Sequence, residues 1–128
     1  MREILFRGQR FDGVWVEGYF FAKPILEKYF IIIGEDQYMV KPETVGQYTG
    51  LTDKNGVKIF EGDIIKDDWG KIYTVIFTTK SCSFMVECTV ALNEYEKGRY
   101  WIGDAWCESI SVIGNIHDNP ELLKEGGE

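Results

Sequence analysis

The chain has 128 residues, with 14 Lys+Arg against 21 Asp+Glu, a formal net charge of -7, and hydrophobic and aromatic shares of 45% and 15%. That is enough apolar material for a packed core and too much for a disordered segment. The acidic balance argues against a general phosphate-backbone binder, which gathers Lys and Arg on one face.

The opening residues Met1 to Arg7 pair Arg2 with Glu3 and hold no apolar stretch of signal-peptide length, which reads as an unexported start. Three cysteines, an odd number without a dense pattern, point to free thiols and, with that start, to a cytoplasmic protein. The most apolar run, Tyr29 to Ile33, falls far short of the roughly 20 residues a membrane span needs, so no membrane partner is expected.

In chain order, Ile4 to Arg7 and a strand beginning near Val14 form a first hairpin reversed at Asp12-Gly13. On that second strand Val14, Val16 and Phe20 share one side and Trp15, Tyr19 and Phe21 the other, a pattern that predicts cover on both faces. Residues 24–28 read equally as a loop or a single helical turn. A second pairing joins Tyr29 to Ile33 with Tyr38 to Val40. Lys41-Pro42 then interrupts the pattern, because Pro lacks a ladder donor and biases its predecessor toward extended geometry.

The centre is rich in turn residues. Gly46, Gly50, Asn55-Gly56 and Gly62 punctuate short apolar pieces, residues 57–60 and Ile64-Ile65, at the spacing of a small barrel rather than of βαβ units. Residues 71–79 and 83–92 make the clearest strand pair, reversed near Lys80-Ser81. In the latter, Phe84, Val86, Cys88, Val90 and Leu92 fall on one face and Glu87 and Thr89 on the other. A polar reversal over 93–98 leads to Tyr100-Trp101-Ile102, and a last strand runs through Ile110, Val112 and Ile116. Asn119-Pro120 then signals a short C-terminal helix that Gly126-Gly127 stops.

The cysteines and the single histidine form no zinc pattern. Cys82, Cys88, Cys107 and His117 are separated by five, eighteen and nine residues, whereas structural zinc takes ligands in close pairs. Cys88 reads instead as a small hydrophobe of the core. Asp53-Lys54-Asn55-Gly56 opens like a calcium loop, but Lys58 and Ile64 stand where such a loop needs Gly and Glu, so it reads as a hairpin turn. Asp63, Asp67 and Asp68 read as a solvated rim, and Glu61 and Asp63, beside Gly62, as turn residues. His117 reads as a polar-edge residue of the last strand. No nucleophile motif and no phosphate loop accompany it. The expectation is therefore no catalytic residue, no cofactor and no metal. Among the aromatics, Trp69, Tyr73, Trp101 and Trp106 form the candidate interaction surface, and Asp67 and Asp68 beside Trp69 favour a protein over a nucleic acid.

The stretch 45–56, Val-Gly-Gln-Tyr-Thr-Gly-Leu-Thr-Asp-Lys-Asn-Gly, continued by Ile59-Phe60-Glu61-Gly62-Asp63-Ile64-Ile65, resembles the YopX family of phage and prophage proteins. The opening Met1-Arg2-Glu3-Ile4 with Phe6-Arg7-Gly8, the segment 15–19 and the closing residues 112–123 resemble that family's motifs too. The resemblance implies a mainly β fold with an SH3-type small barrel, and it carries no catalytic residue. Together these readings predict one compact chain: an N-terminal β module over residues 1–42, then an SH3-like barrel and a short C-terminal helix over 43–128. They predict a phage or prophage accessory protein that binds a host or phage protein and has exposed edges through which copies can self-associate. The alternative is a nucleic-acid-binding small barrel using Arg2, Arg7 and Arg10, or an acidic DNA mimic.

Overall fold

The structure, a computed structural model, describes residues 3–90 and 97–124, with the backbone alone at 89 and 90. Its strands form two antiparallel sheets, and its one helix among the described residues has four residues. The chain divides into two compact units, Met1–Gly50 and Leu51–Glu128.

In the first unit β1 (Phe6–Gln9), β2 (Trp15–Lys23), β3 (Lys28–Ile33) and β4 (Asp36–Met39) form successive hairpins, and β5 (Gly46–Thr52) lies on the other side of β1. The first reversal is closed by Arg10 N–H donating to the Val14 carbonyl at 2.8 Å, with Asp12 Oδ1 accepting from Val14 N at 3.1 Å. Residues 24–28, left open by the sequence, contain a single 3-10 turn, Pro24–Leu26. Pro42, the expected boundary, instead opens a 3-10 turn inside the first unit, because Gly46 and Gln47 are paired with Arg7 and Phe6 of β1. A side chain the sequence did not flag anchors that turn: Thr44 Oγ1 accepts from Gln9 N at 2.8 Å and donates to the Lys41 carbonyl at 2.6 Å. Gly46 and Gly50, expected as punctuation, lie within β5.

The expectation that both faces of β2 are covered is not met. Tyr19 is 70% exposed and Phe21 43%, since this part of the strand pairs with β3 but has too little of the unit's chain to cover it. The rings pack on cross-strand neighbours instead. Phe20 stacks on Tyr29 with centroids 6.3 Å apart, and Phe21 meets Phe30 at 6.4 Å.

In the second unit β6 (Lys58–Phe60) returns from the end of β5 through the Asp53–Gly56 turn. The second sheet has the order β10-β9-β8-β7-β11, from β7 (Asp63–Asp67), β8 (Ile72–Thr78), β9 (Ser83–Val90), β10 (Gly98–Trp101) and β11 (Ile110–Asn115). The register Tyr73↔Cys88, Val75↔Val86, Phe77↔Phe84 matches the expected alternation. Buried Ile59, Ile65, Tyr73, Val75, Val86 and Ile110 form the centre of its core, joined by the cysteines Cys88 and Cys107. The expected placements of Ala91, Leu92, residues 93–96 of the 93–98 reversal and Gly126-Gly127, and the side chains of Thr89 and Val90, lie outside the described residues.

Three expectations are met only in part or not at all. The mainly β fold is as expected, while an SH3-type small barrel is not confirmed, since no sheet closes among the described residues: β10 and β11 stand at opposite edges of the second sheet. The short helix expected after Asn119 forms as a single 3-10 turn, Pro120–Leu123, opened by Pro120 as expected, but Asn119 does not cap it. Its Oδ1 turns back to accept from Asn115 N at 3.2 Å. A short helix does form where none was expected, α1 (Asp104–Cys107). No helix among the described residues is long and apolar enough to cross a membrane.

At Gly18 the first unit has a close approach to backbone that only glycine permits. A Cβ at Gly18 would fall on the Ile32 carbonyl oxygen and lie 3.0 Å from the Ile33 side chain, and the main chain of a paired strand cannot yield. Gly18→Ala is expected to destabilise the protein by about 2 kcal/mol in urea denaturation. Gly103→Ala, which meets nothing within 4 Å, is expected to change stability by less than about 0.5 kcal/mol.

Candidate binding cleft

The site begins with a tight turn. Between β7 and β8, Asp67 N–H donates to the Lys71 carbonyl at 3.0 Å and Gly70 N–H to the Asp67 carbonyl at 3.1 Å, with Gly70 at φ +92°, where a side chain would be strained. The Asp67 side chain holds the turn from within: Oδ1 accepts from Trp69 N at 3.0 Å and from Lys71 N at 2.9 Å. Its other oxygen, Oδ2, accepts from the Tyr73 hydroxyl at 2.8 Å. One carboxylate thus sets the turn that carries Trp69 and the position of the ring two residues into β8.

The same device occurs at Asp53. Its Oδ1 accepts from Asn55 N at 2.8 Å and Val57 N at 2.9 Å, and its Oδ2 from Val112 N at 2.8 Å, which ties the β5–β6 turn to β11. The sequence reading of residues 53–56 as a turn therefore holds. The expected solvated rim does not. Asp67 is only 5% exposed and Asp63 1%, because their carboxylates turn inward to donors of the fold itself: Asp67 to two backbone N–H groups and the Tyr73 hydroxyl, and Asp63 Oδ2 to Phe60 N at 2.7 Å. Only Asp68 is exposed, bonded to Lys54 Nζ at 2.7 Å. The signal that was available is the shared spacing of Asp53 with Gly56 and of Asp67 with Gly70.

Around the Asp67 turn, Trp69, Tyr73, Trp101 and Trp106, the four aromatics singled out from the sequence, line one cavity of about 500 Å³. Trp69 comes from the turn, Tyr73 from β8, Trp101 from the end of β10 and Trp106 from α1. Tyr100, Asp67 and Lys71 complete the lining and were not among the sequence candidates. Tyr73 forms the buried wall, with the rings of Trp106 and Tyr100 perpendicular to it at centroid distances of 5.0 and 6.2 Å. Trp69 and Trp101 stand at the mouth, 64% and 67% exposed. Burial, and then the bond to Asp67, push the Tyr73 hydroxyl pKa well above its ordinary value.

The remaining candidates are not brought together into a reactive set. Cys82 is exposed in the turn before β9, while Cys88 and Cys107 are buried core residues. Burial, followed by the charges of Asp104 and Asp53, raises the Cys107 thiol pKa and so disfavours the thiolate a nucleophile needs. His117, expected in the last strand, lies in the turn beyond it, since β11 ends at Asn115 and Asn115 Oδ1 accepts from the backbone of His117 and Asp118, both at 2.9 Å. Among the described residues no three His, Cys, Asp or Glu side chains are grouped to hold a metal ion. Of the arginine cluster, Arg2 lies outside the described residues, Arg7 sits over the Trp15 ring at 4.9 Å, and Arg10 sits over Tyr38 at 5.3 Å and pairs with Asp12 at 2.9 Å.

The sequence profile described as YopX protein matches residues 22–124. No curated protein matches the chain. Among solved structures, the crystal structure of protein EF1440 from Enterococcus faecalis is similar in fold, with a TM-score of 0.61 and 24% sequence identity over 97% of this chain and 100% of that one.

Asp67→Ala removes the acceptor for three donors at once and is expected to cost about 3 kcal/mol in chemical denaturation. The raised Tyr73 pKa has a defined sign. The folded state holds that proton more tightly than the unfolded state, so the contribution is complete below pH of about 10 and is lost as pH rises beyond it. Stability should therefore fall above pH of about 10, and Tyr73→Phe should flatten that fall in denaturation curves taken across the range. An unchanged slope in the variant would assign the alkaline loss to another group.

Proposed function

The chain belongs to the YopX family, and from that premise we propose that it is a non-enzymatic protein-binding module, an accessory protein of a phage or prophage acting on a host or phage protein. The observation that carries the reading is the convergence of Trp69, Tyr73, Trp101 and Trp106 from four separate elements on one cavity. Exposed indoles above a buried aromatic wall offer a partner large contact area at small conformational cost, the composition enriched where binding energy concentrates. Asp53, Asp63 and Asp67 each accept hydrogen bonds from backbone donors that shape turns and strand ends, and the Cys107 thiol is buried, which supports binding over catalysis. The small-barrel description of the second unit belongs to the same proposal; its support is the run of short antiparallel strands joined by tight turns.

The acidic balance and the engagement of Arg7 and Arg10 by Trp15, Tyr38 and Asp12 favour a protein partner over nucleic acid. Tagged protein purified from a bacterium carrying the phage, with and without nuclease, tests this. A recurrent, nuclease-resistant protein partner is expected. A variant with Trp69→Ala and Trp101→Ala should weaken its capture by about thirtyfold or more, while Tyr19→Ala on the first unit leaves it intact. Capture that vanishes with nuclease, or that ignores the cleft substitutions, would overturn the reading.

A further inference from the structure

Resting on that reading, we propose that the cleft of the second unit accepts a cationic side chain of the partner polypeptide, an arginine guanidinium, between its aromatic walls and the Asp67 carboxylate. Aromatic ring faces carry negative electrostatic potential and attract cations placed over them. Here the rings of Tyr100 and Trp106 both stand at 86° to Tyr73, so the walls present ring surface in two orientations. Asp67 lines the same cavity. Its three hydrogen bonds use its lone pairs but leave its unit negative charge, and at 5% exposure water screens that charge weakly.

The wider field has the same sign. Residues 51–128 contain eight Lys+Arg and fourteen Asp+Glu, so a basic segment is drawn toward this unit and a phosphate backbone is repelled. Guanidinium suits the space better than ammonium, because it is planar, weakly hydrated and stacks on aromatic faces while its edge donates hydrogen bonds. A volume of about 500 Å³ accommodates one such side chain with its flanking backbone.

Asp68 is bonded to Lys54. Arg99, next to Tyr100 on β10, is bonded to Glu87 at 3.1 Å and lines a different cavity. Among the described residues, the one positive side chain lining the cleft is Lys71, and its charge opposes an incoming cation.

The test compares two peptides of the same shape: a glycine-flanked arginine peptide and its counterpart with citrulline, which keeps the planar head and loses the charge. Both are titrated into the full chain with tryptophan fluorescence and indole N–H resonances as readouts. The arginine peptide should bind about tenfold more tightly or better, and Lys71→Met should widen that ratio several-fold by strengthening the arginine peptide more than the citrulline peptide. Trp101→Ala should weaken the arginine peptide. Equal binding of the two peptides would overturn the cationic assignment and leave the protein-binding reading standing. Failure of either to bind at millimolar concentration would also overturn it, with the capture experiment then deciding the broader reading. Tighter binding of a short oligothymidylate than of the arginine peptide would overturn both.

Discussion

The Asp67 carboxylate is the constraint on which the second unit's cleft depends. One oxygen holds the backbone of Trp69 and Lys71 and so shapes the turn; the other holds the Tyr73 hydroxyl and so fixes the wall behind it. A buried carboxylate costs several kcal/mol in lost hydration, and hydrogen bonds to a charged acceptor return about 1.5–3 kcal/mol each. The net stabilisation is modest. Its consequence is positional, since the turn cannot relax without releasing the ring, and the ring cannot swing out without leaving a buried charge poorly solvated.

Asp53 applies the same device at the β5–β6 turn, where it also reaches Val112 of β11, and Asp63 holds Phe60 N at the entry to β7. Three acidic side chains thus perform architecture that a backbone alone would leave to water. This explains why a chain with 21 carboxylate residues gathers none of these three into a reactive or metal-binding group. Each directs at least one oxygen to main-chain donors in turns and strand ends. In the first unit a neutral hydroxyl has the comparable part, Thr44 joining Gln9 to Lys41.

What remains for recognition is aromatic surface. Trp69 and Trp101 are exposed because a turn and the end of an edge strand have no further layer over them, while Trp106 is drawn half inward by the core that α1 packs against. The resulting cleft joins ring faces to one shielded negative charge, which suits a flat cation better than an anion or a purely apolar group. The first unit also exposes Tyr19, Ile25 and Leu26, but there the rings lie on an open hairpin without an enclosing wall.

Much of the strand content was legible in the sequence because hydrophobic alternation and turn residues act locally. The pairing of residues 71–79 with 83–92, the hairpin at Gly34 and the turn at Asn55-Gly56 follow from spacing of that kind. The sequence by itself also nominated Trp69, Tyr73, Trp101 and Trp106, since large aromatics beside acidic residues in a turn-rich chain are poor candidates for nucleic-acid stacking. Only the tertiary structure decided that they meet. The pairing of β9 with both β8 and β10, and the fold-back of α1, bring distant positions to one cavity, and long-range pairing leaves no mark in a local window. It likewise decided that Asp67 is buried rather than rim-exposed, that β11 stops before His117, and that the sheets stay open, because burial and edge pairing belong to neighbours remote in the chain.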